Sequence, residues 1–339
     1  MNRRRRAVMA ALVTGIAAGL GAWWWTVLAP PEVSRTQFAL DTLVTITAGG
    51  SRAEAGVTRA FAEIARVERL LSSFEPGSEI ARINAGAGRR PVRVSDETFR
   101  FVSDLVRFSR LSGGAFDPTV GPLVALWGFG GDHPAVPASR SIQSLLPLVG
   151  ADKIKLDPAR REVFLPLAGM QLDVGGALKG YAVDRAADAL REAGVRYGLV
   201  DAGRSSIKVV GRRPWRRPWV VAIADPRREG AVLGWLRLRD GEALGTSADN
   251  TRFFIAGGVR YSHLLDPATG WPARHNRLVT VAAGSAFEAD ALSKLFVVPS
   301  PQVLSRFRRL GRQGLVLTSV GELRSNLAGF APATREGKR

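Results

Sequence analysis

The chain has 339 residues, long enough to bury a sizeable core, and its 48 lysines and arginines against 30 acids give a net charge of +18. It has no cysteine, which excludes disulfides, thiolate metal sites, thiol catalysis and a lipid-modified N-terminal cysteine. The charge does not argue for nucleic acid: the aromatics are not interleaved with basic clusters as a stacking surface needs, and attraction to anionic lipid headgroups accounts for the excess.

Arg3 to Arg6 form a charged cluster, and Ala7 to Ala29 carry no charge. About twenty apolar residues suffice to cross a bilayer as a helix, and arginines on the leading side put the remainder of the chain outside the cytoplasm. Residues 1–30 read either as a retained inner-membrane anchor with the rest in the periplasm or as a cleaved export signal; Ala29-Pro30-Pro31 is a poor cleavage site and Trp23-Trp24-Trp25 suits an interfacial belt, which favours the anchor. A folded part from about residue 35 to 330 and a basic tail, 331–339, complete the expected organisation.

Phe38 to Ala48 alternates apolar and polar residues and predicts one strand. Val57, Phe61, Ile64, Val67 and Leu71 mark one face of a helix within Arg52 to Phe74, which the turn residues Ser72 to Ser78 close. A second amphipathic helix spans Asp96 to Ser112 and stops at Gly113-Gly114. Short strands are expected near Lys153–Leu156, Val163–Leu165, Val200, Trp219–Ile223, Trp235–Leu238 and Arg277–Ala282. Helices are expected over Gly180–Ala193, with Gly194 beyond its end, and over Phe287–Val297. Strands mixed with helices, without regular alternation, predict an α+β fold with mixed or antiparallel sheets.

Four segments carry chemistry. In Leu172-Asp-Val-Gly-Gly-Ala-Leu-Lys-Gly180 an acid ends an apolar strand, two glycines follow, and Lys179 opens a helix. Such a turn either accepts a diphosphate at the helix start or is an ordinary strand-to-helix connection; the spacing fits neither a dinucleotide fingerprint nor a P-loop. Ser112 to Gly130 either holds a planar heterocycle along Ala115-Phe116-Asp117, with Asp117 accepting an amino hydrogen, or is a loop packed by its own aromatics. His263, one of three histidines, is a general base or a structural residue. Asp290, Ser293 and Lys294 stand at i, i+3 and i+4; the acid and hydroxyl either ligate a hard cation or serve the helix start.

In this order the segments resemble the bacterial FAD:protein FMN transferases, the ApbE family, from about Gln37 to Leu327. The motifs are Thr42-Leu-Val-Thr-Ile46, Leu71-Ser-Ser-Phe-Glu-Pro-Gly-Ser-Glu-Ile80, Gly114-Ala-Phe-Asp-Pro-Thr-Val-Gly-Pro-Leu123, the glycine segment, Thr246-Ser-Ala-Asp249, Ser262-His-Leu-Leu-Asp-Pro-Ala-Thr-Gly270 and Glu288-Ala-Asp-Ala-Leu292. The resemblance implies an ApbE-like (T-fold-like) architecture and an enzyme that cleaves FAD, releases AMP and joins FMN by a phosphoester to a threonine or serine of an acceptor protein. It implies that Asp173, Lys179 and Ala115-Phe116-Asp117 contact FAD, that Leu40 and Phe74 flank the flavin nucleotide, and that Leu265 makes a backbone contact near it. Mg²⁺ is implied on the Gly176 carbonyl and the Asp290 carboxylate, with Ser293 a further candidate ligand and His263 or Asp266 the general base. The implied partner is an exported electron-transfer protein with an FMN-binding domain.

The chain departs from the family pattern at three places. Lys294 stands where the family usually has threonine, Arg204-Ser205 replace a glycine and an acid, and Leu40-Asp41 replace a Met-Gly pair. A protonated lysine cannot ligate Mg²⁺. Either Ser293 rotates in, or Lys294 stands in for part of the metal charge, or the protein binds FAD without efficient transfer, as a non-catalytic accessory protein.

Overall fold

The computed structural model describes residues 32–129, 131 and 134–333. The expected membrane segment, residues 1–30, and the tail from residue 334 lie outside the described residues, among which no helix is long and apolar enough to cross a membrane.

Eight antiparallel strands form the central sheet, in the order Glu32–Ala39, Thr42–Gly49, Tyr197–Ala202, Ser206–Gly211, Ala243–Ala248, Asn276–Ala283, Gln313–Thr318 and Leu323–Ser325. Three smaller sheets surround it, including the hairpin Phe253–Ala256/Val259–Ser262. The α+β expectation with antiparallel sheets therefore holds. The single strand expected from Phe38 to Ala48 does not: that span takes in the end of one strand, the turn at Leu40-Asp41 and most of the next strand of a hairpin. Both turn residues have positive φ, 54° and 58°. That is the geometry of a two-residue hairpin loop, which glycine and asparagine usually supply, and here the turn chemistry is absent from the sequence.

Helix Ala53–Leu71 buries Val57, Phe61, Ile64, Val67 and Leu71, the stripe its periodicity predicts. Helix Asp96–Ser112 begins on Ser95, whose hydroxyl accepts from the Thr98 amide at 3.2 Å, carries Asp96 and Glu97 in its first turn, and ends on Gly113 at φ 63°. Helix Leu178–Glu192 packs between Ala53–Leu71 and Ala286–Leu292. A half-buried network ties the helices together: Arg66 donates to Glu63 (2.8 Å) and Glu97 (2.7 Å), and the Tyr181 hydroxyl donates to Glu97 at 2.8 Å.

The expected helix Phe287–Val297 is a short α-helix, Ala286–Leu292, that tightens into a 3₁₀ turn, Ser293–Val297. Its start is held by Asp184, whose carboxylate accepts from the amides of Ala286 and Phe287 (2.9 Å each) and from Ser285 Oγ (2.7 Å). Lys208 Nζ pairs with Asp184 at 2.9 Å and donates to the Gly284 carbonyl at 2.6 Å. Its flanks are set by glycines. A Cβ on Gly180 would strike the Ala286 carbonyl and lie 2.8 Å from Asp290 Cβ, and one on Gly245 would strike the backbone of Ala289 and Asp290.

Two stability outcomes follow from this seating. Asp184→Ala leaves Lys208 charged in a site only 9% exposed and orphans three donors; we expect a loss of about 3–5 kcal/mol, measured as a shift of the urea midpoint at constant slope. A change within about 1 kcal/mol would show that the pair is not structural. Gly245→Ala is expected to cost about 1–3 kcal/mol by overpacking against the backbone of Ala289 and Asp290, whereas Gly77→Ala, at an exposed position with nothing within 4 Å of its Cβ position, should cost less.

Candidate active site

One cleft of about 580 Å³ opens where the turn Leu40-Asp41, the loop after Ser112, the Gly175-Gly176 turn and the Asp290 helix meet. Its size falls within the roughly 300–1,000 Å³ of small-molecule sites. Its lining brings together Leu40, Phe74, Ala115, Phe116, Asp117, Asp173, Gly176, Lys179, His263, Leu265 and Asp290. Ser293 is fully buried behind the wall and Asp266 does not line the cleft.

The apolar wall is built from both kinds of side chain. Leu40 and Phe116 are buried, whereas Phe74 is 74% exposed at the rim, a large aromatic left uncovered beside a cavity. The Leu40 amide donates to Glu68 Oε1 at 3.1 Å, and Asp41 forms an ion pair with Arg252. Leu265 is buried, its backbone in an isolated bridge to Pro272.

Asp117 does not present a free carboxylate to a ligand. Oδ1 accepts from the amide (2.8 Å) and hydroxyl (2.5 Å) of Thr119, and Oδ2 accepts from the Ala151 amide at 2.9 Å. Three of four acceptor positions are used, so the residue braces the Ala115–Thr119 loop, and burial pushes its pKa up. The aromatic-packing reading of the same segment also holds further along: Trp127 is buried, donates from Nε1 to the Gly270 carbonyl at 2.8 Å, and stacks with Phe129.

At the glycine turn, Asp173 Oδ1 accepts from the Gly175 amide at 2.8 Å, and burial again raises the carboxyl pKa, opposed by Lys179 and Lys294. Lys179, second residue of helix Leu178–Glu192, has no hydrogen bond or ion pair to its ammonium among the described residues. The Phe116 ring edge lies 3.3 Å from where a Cβ on Gly176 would stand, which leaves that backbone open only because it is glycine.

His263 is oriented. Its Nδ1 lies 3.1 Å from the Arg252 carbonyl, which can only accept, so Nδ1 carries the proton and Nε2 keeps its lone pair. Burial, then the nearby cations Lys294, Lys179 and Arg252, push its pKa down to about 4, against the backbone bond to Arg252. Asp266, the rival base, spends its oxygens on the Ala268 amide (3.0 Å) and the Thr269 hydroxyl (3.2 Å) inside its own turn. Arg252 is the residue that sequence reasoning misses here, because a backbone carbonyl leaves no trace in residue type.

Of the candidate metal ligands, Asp290 and Ser293 converge on the Lys294 ammonium, and Gly176 lies against the lysine stem. Its Nζ lies 3.2 Å from Asp290 Oδ1, 3.1 Å from the Asp290 carbonyl and 3.3 Å from Ser293 Oγ. Its Cε is 3.4 Å from a Cβ position on Gly176. Asp290 Oδ2 accepts from the Gly180 amide (3.0 Å) and Ser206 Oγ (3.1 Å). Ser293 Oγ bonds Ser247 Oγ and donates to the Asp290 carbonyl, both at 2.7 Å, so it does not rotate toward the cleft. Burial lowers the Lys294 pKa, and Asp290 pulls it back up.

The ApbE family model matches residues 40–314. A curated FAD:protein FMN transferase of Klebsiella pneumoniae strain 342 is 34% identical over 248 residues, covering 72% of this chain and 76% of that protein. One from Treponema pallidum strain Nichols is 32% identical over 281 residues, 77% of each chain. The solved ApbE protein of Thermotoga maritima superposes with a TM-score of 0.82 at 32% identity, over 87% of this chain and 97% of that one. The apo flavinyl transferase ApbE of Pseudomonas stutzeri gives 0.78 at 29% identity, over 88% and 95%. The matched span takes in every cleft residue described above, and the chain belongs to the ApbE family.

Proposed function

We propose that this chain is an FAD:protein FMN transferase, with FAD as substrate and a threonine or serine hydroxyl of a second protein as acceptor. The observation that carries the reading is the convergence, in one cleft, of an oriented neutral histidine, a glycine turn flanked by two lysines, and an uncovered aromatic at the rim. The relatives' activity supports it.

Phosphoryl transfer asks the protein chiefly for charge neutralisation and in-line positioning. The flavin end lies against Leu40 and Phe74, and the diphosphate lies over Gly175-Gly176, where Lys179 and Lys294 offset its charge. His263 Nε2 takes the proton of the acceptor hydroxyl as its oxygen bonds to the FMN phosphorus. The bridging P–O bond breaks, and AMP leaves with that electron pair, its charge met by Lys179. Asp290 positions this machinery: it ties the Gly180 amide, Ser206 and Lys294 together.

Mg²⁺, which the family resemblance implies, does not fit the donor set as it stands, because the ammonium of Lys294 already engages the oxygens of Asp290 and Ser293. No step above passes through a metal.

The same reading places the transferase outside the cytoplasm on residues 1–30, supported by Arg3 to Arg6 and the uncharged run behind them. Its acceptor is then an exported redox protein with an FMN-binding domain.

Incubation of the protein with FAD and such an acceptor should yield a fluorescent band that survives denaturation, with one AMP released per FMN attached. Tight FAD binding with no band across several acceptors would instead assign an accessory, non-catalytic role. His263→Gln should lower turnover by about 10²–10⁴-fold, the range for a general base, while FAD affinity stays within about twofold. Because His263 in the folded protein holds its proton only below about 4, the acid limb of kcat/KM should fall near that pH and not near the ordinary imidazole value. The unfolded chain binds this proton more readily, so stability should fall as pH drops from about 6.5 toward 4. His263→Gln should flatten that part of the curve, and an unchanged slope would rule out the buried neutral imidazole.

A further inference from the structure

We infer that the Lys294 ammonium is a built-in replacement for the divalent cation of this cleft, so that this chain binds the FAD diphosphate without a metal. The inference rests on the transferase reading of the site and specifies how its phosphate charge is met.

The geometry is that of a cation site already filled. Asp290 Oδ1, the Asp290 carbonyl and Ser293 Oγ surround Nζ at 3.1–3.3 Å, and the lysine stem runs against Gly176. Those distances suit an ammonium and not a small divalent ion, which demands near-octahedral oxygens at roughly 2.0–2.1 Å. The other acceptor atoms are committed elsewhere. Asp290 Oδ2 holds the Gly180 amide and Ser206, and Ser293 Oγ holds Ser247 and the Asp290 carbonyl. A metal entering here must expel Nζ from a side chain only 17% exposed, or stand beside a like charge.

The three donors of the ammonium are all placed, but loosely: the contacts are 3.1, 3.2 and 3.3 Å, against an N–H···O range of about 2.7–3.2 Å. A phosphate oxygen arriving over Gly176 therefore meets a positioned cation that can form a shorter, charge-assisted bond. Lys179 faces the same cleft, so two tethered positive charges flank the glycine turn. A fixed ammonium also carries no loading step and does not depend on free metal concentration.

The test is a titration of the full chain with FAD, followed by flavin fluorescence, in EDTA and in excess Mg²⁺. The wild-type Kd should agree within about twofold between the two conditions. Lys294→Thr, which removes the charge and supplies a hydroxyl ligand, should weaken binding about tenfold or more in EDTA, as loss of a charged hydrogen bond does, and Mg²⁺ should recover most of it. Lys294→Met keeps the packing stem and should be weak in both conditions; a native melting profile for either variant shows that the loss is electrostatic. The inference is overturned if wild-type binding requires Mg²⁺ or tightens about tenfold with it, or if Lys294→Met binds as well as wild type. Absence of FAD binding in both conditions would sink the transferase reading itself, a separate result.

Discussion

Asp184 reaches from helix Leu178–Glu192 to the first turn of Ala286–Leu292, where its carboxylate collects two backbone amides, a serine hydroxyl and the ammonium of Lys208. Removing two charges from water is favourable only when the remaining lone pairs and protons are also satisfied, and here Lys208 completes its set on the Gly284 carbonyl. Gly180 and Gly245 press on the same short helix from two sides, at approaches no side chain tolerates. The helix is thereby fixed along its axis by electrostatics and across it by packing. Asp290 rides on that helix, and its second oxygen returns the constraint by accepting the Gly180 amide. The Asp290 end of the cleft inherits its geometry from this arrangement.

Within the cleft, electrostatics sort the titratable groups by role. Burial pushes the carboxyl pKa of Asp173 and Asp117 up, but their oxygens are engaged by local amides and by the Thr119 hydroxyl, so both brace their own turns. His263 is pushed down by burial and by the nearby cations Lys294, Lys179 and Arg252, which keeps it neutral at physiological pH. The cations that line the cleft thus favour the neutral form of the imidazole.

Much of this was legible in the sequence where local chemistry and tertiary demand agree. The helix faces of Ala53–Leu71 and Asp96–Ser112 follow apolar spacing and caps, and the glycine segment opens its helix at Leu178, two residues ahead of the expected start. The hairpin turn at Leu40-Asp41 was not legible, because its positive φ values are imposed by the surrounding structure on residues that disfavour them. Asp117 and Ser293 have the residue types of ligand-binding groups, yet their oxygens serve Thr119 and Ala151 in one case and Ser247 in the other. Residue type states what a side chain is able to bond; only the fold decides what it does bond. The orientation of His263 by the Arg252 carbonyl belongs to the same class.

The three departures from the family pattern lie far apart in the chain but face one cavity. Leu40 and Asp41 form its rim, Ser205 lines the adjoining turn, and Lys294 fills its phosphate end. Leu40, Asp41 and Arg204 each hold φ between 54° and 58°, where a side chain costs roughly 1–2 kcal/mol and glycine costs nothing. Strain of that kind persists when neighbouring structure over-determines it. The bonds from Glu68 to the Leu40 amide and from Asp201 to the Arg204 amide, with the Asp41–Arg252 ion pair, supply that determination. Arg252 then links the two ends of the site, since its guanidinium holds the strained rim and its carbonyl orients the base. The Leu40-Asp41 rim and Lys294 line one cleft, and Arg252 ties that rim to His263 through its ion pair with Asp41 and its carbonyl.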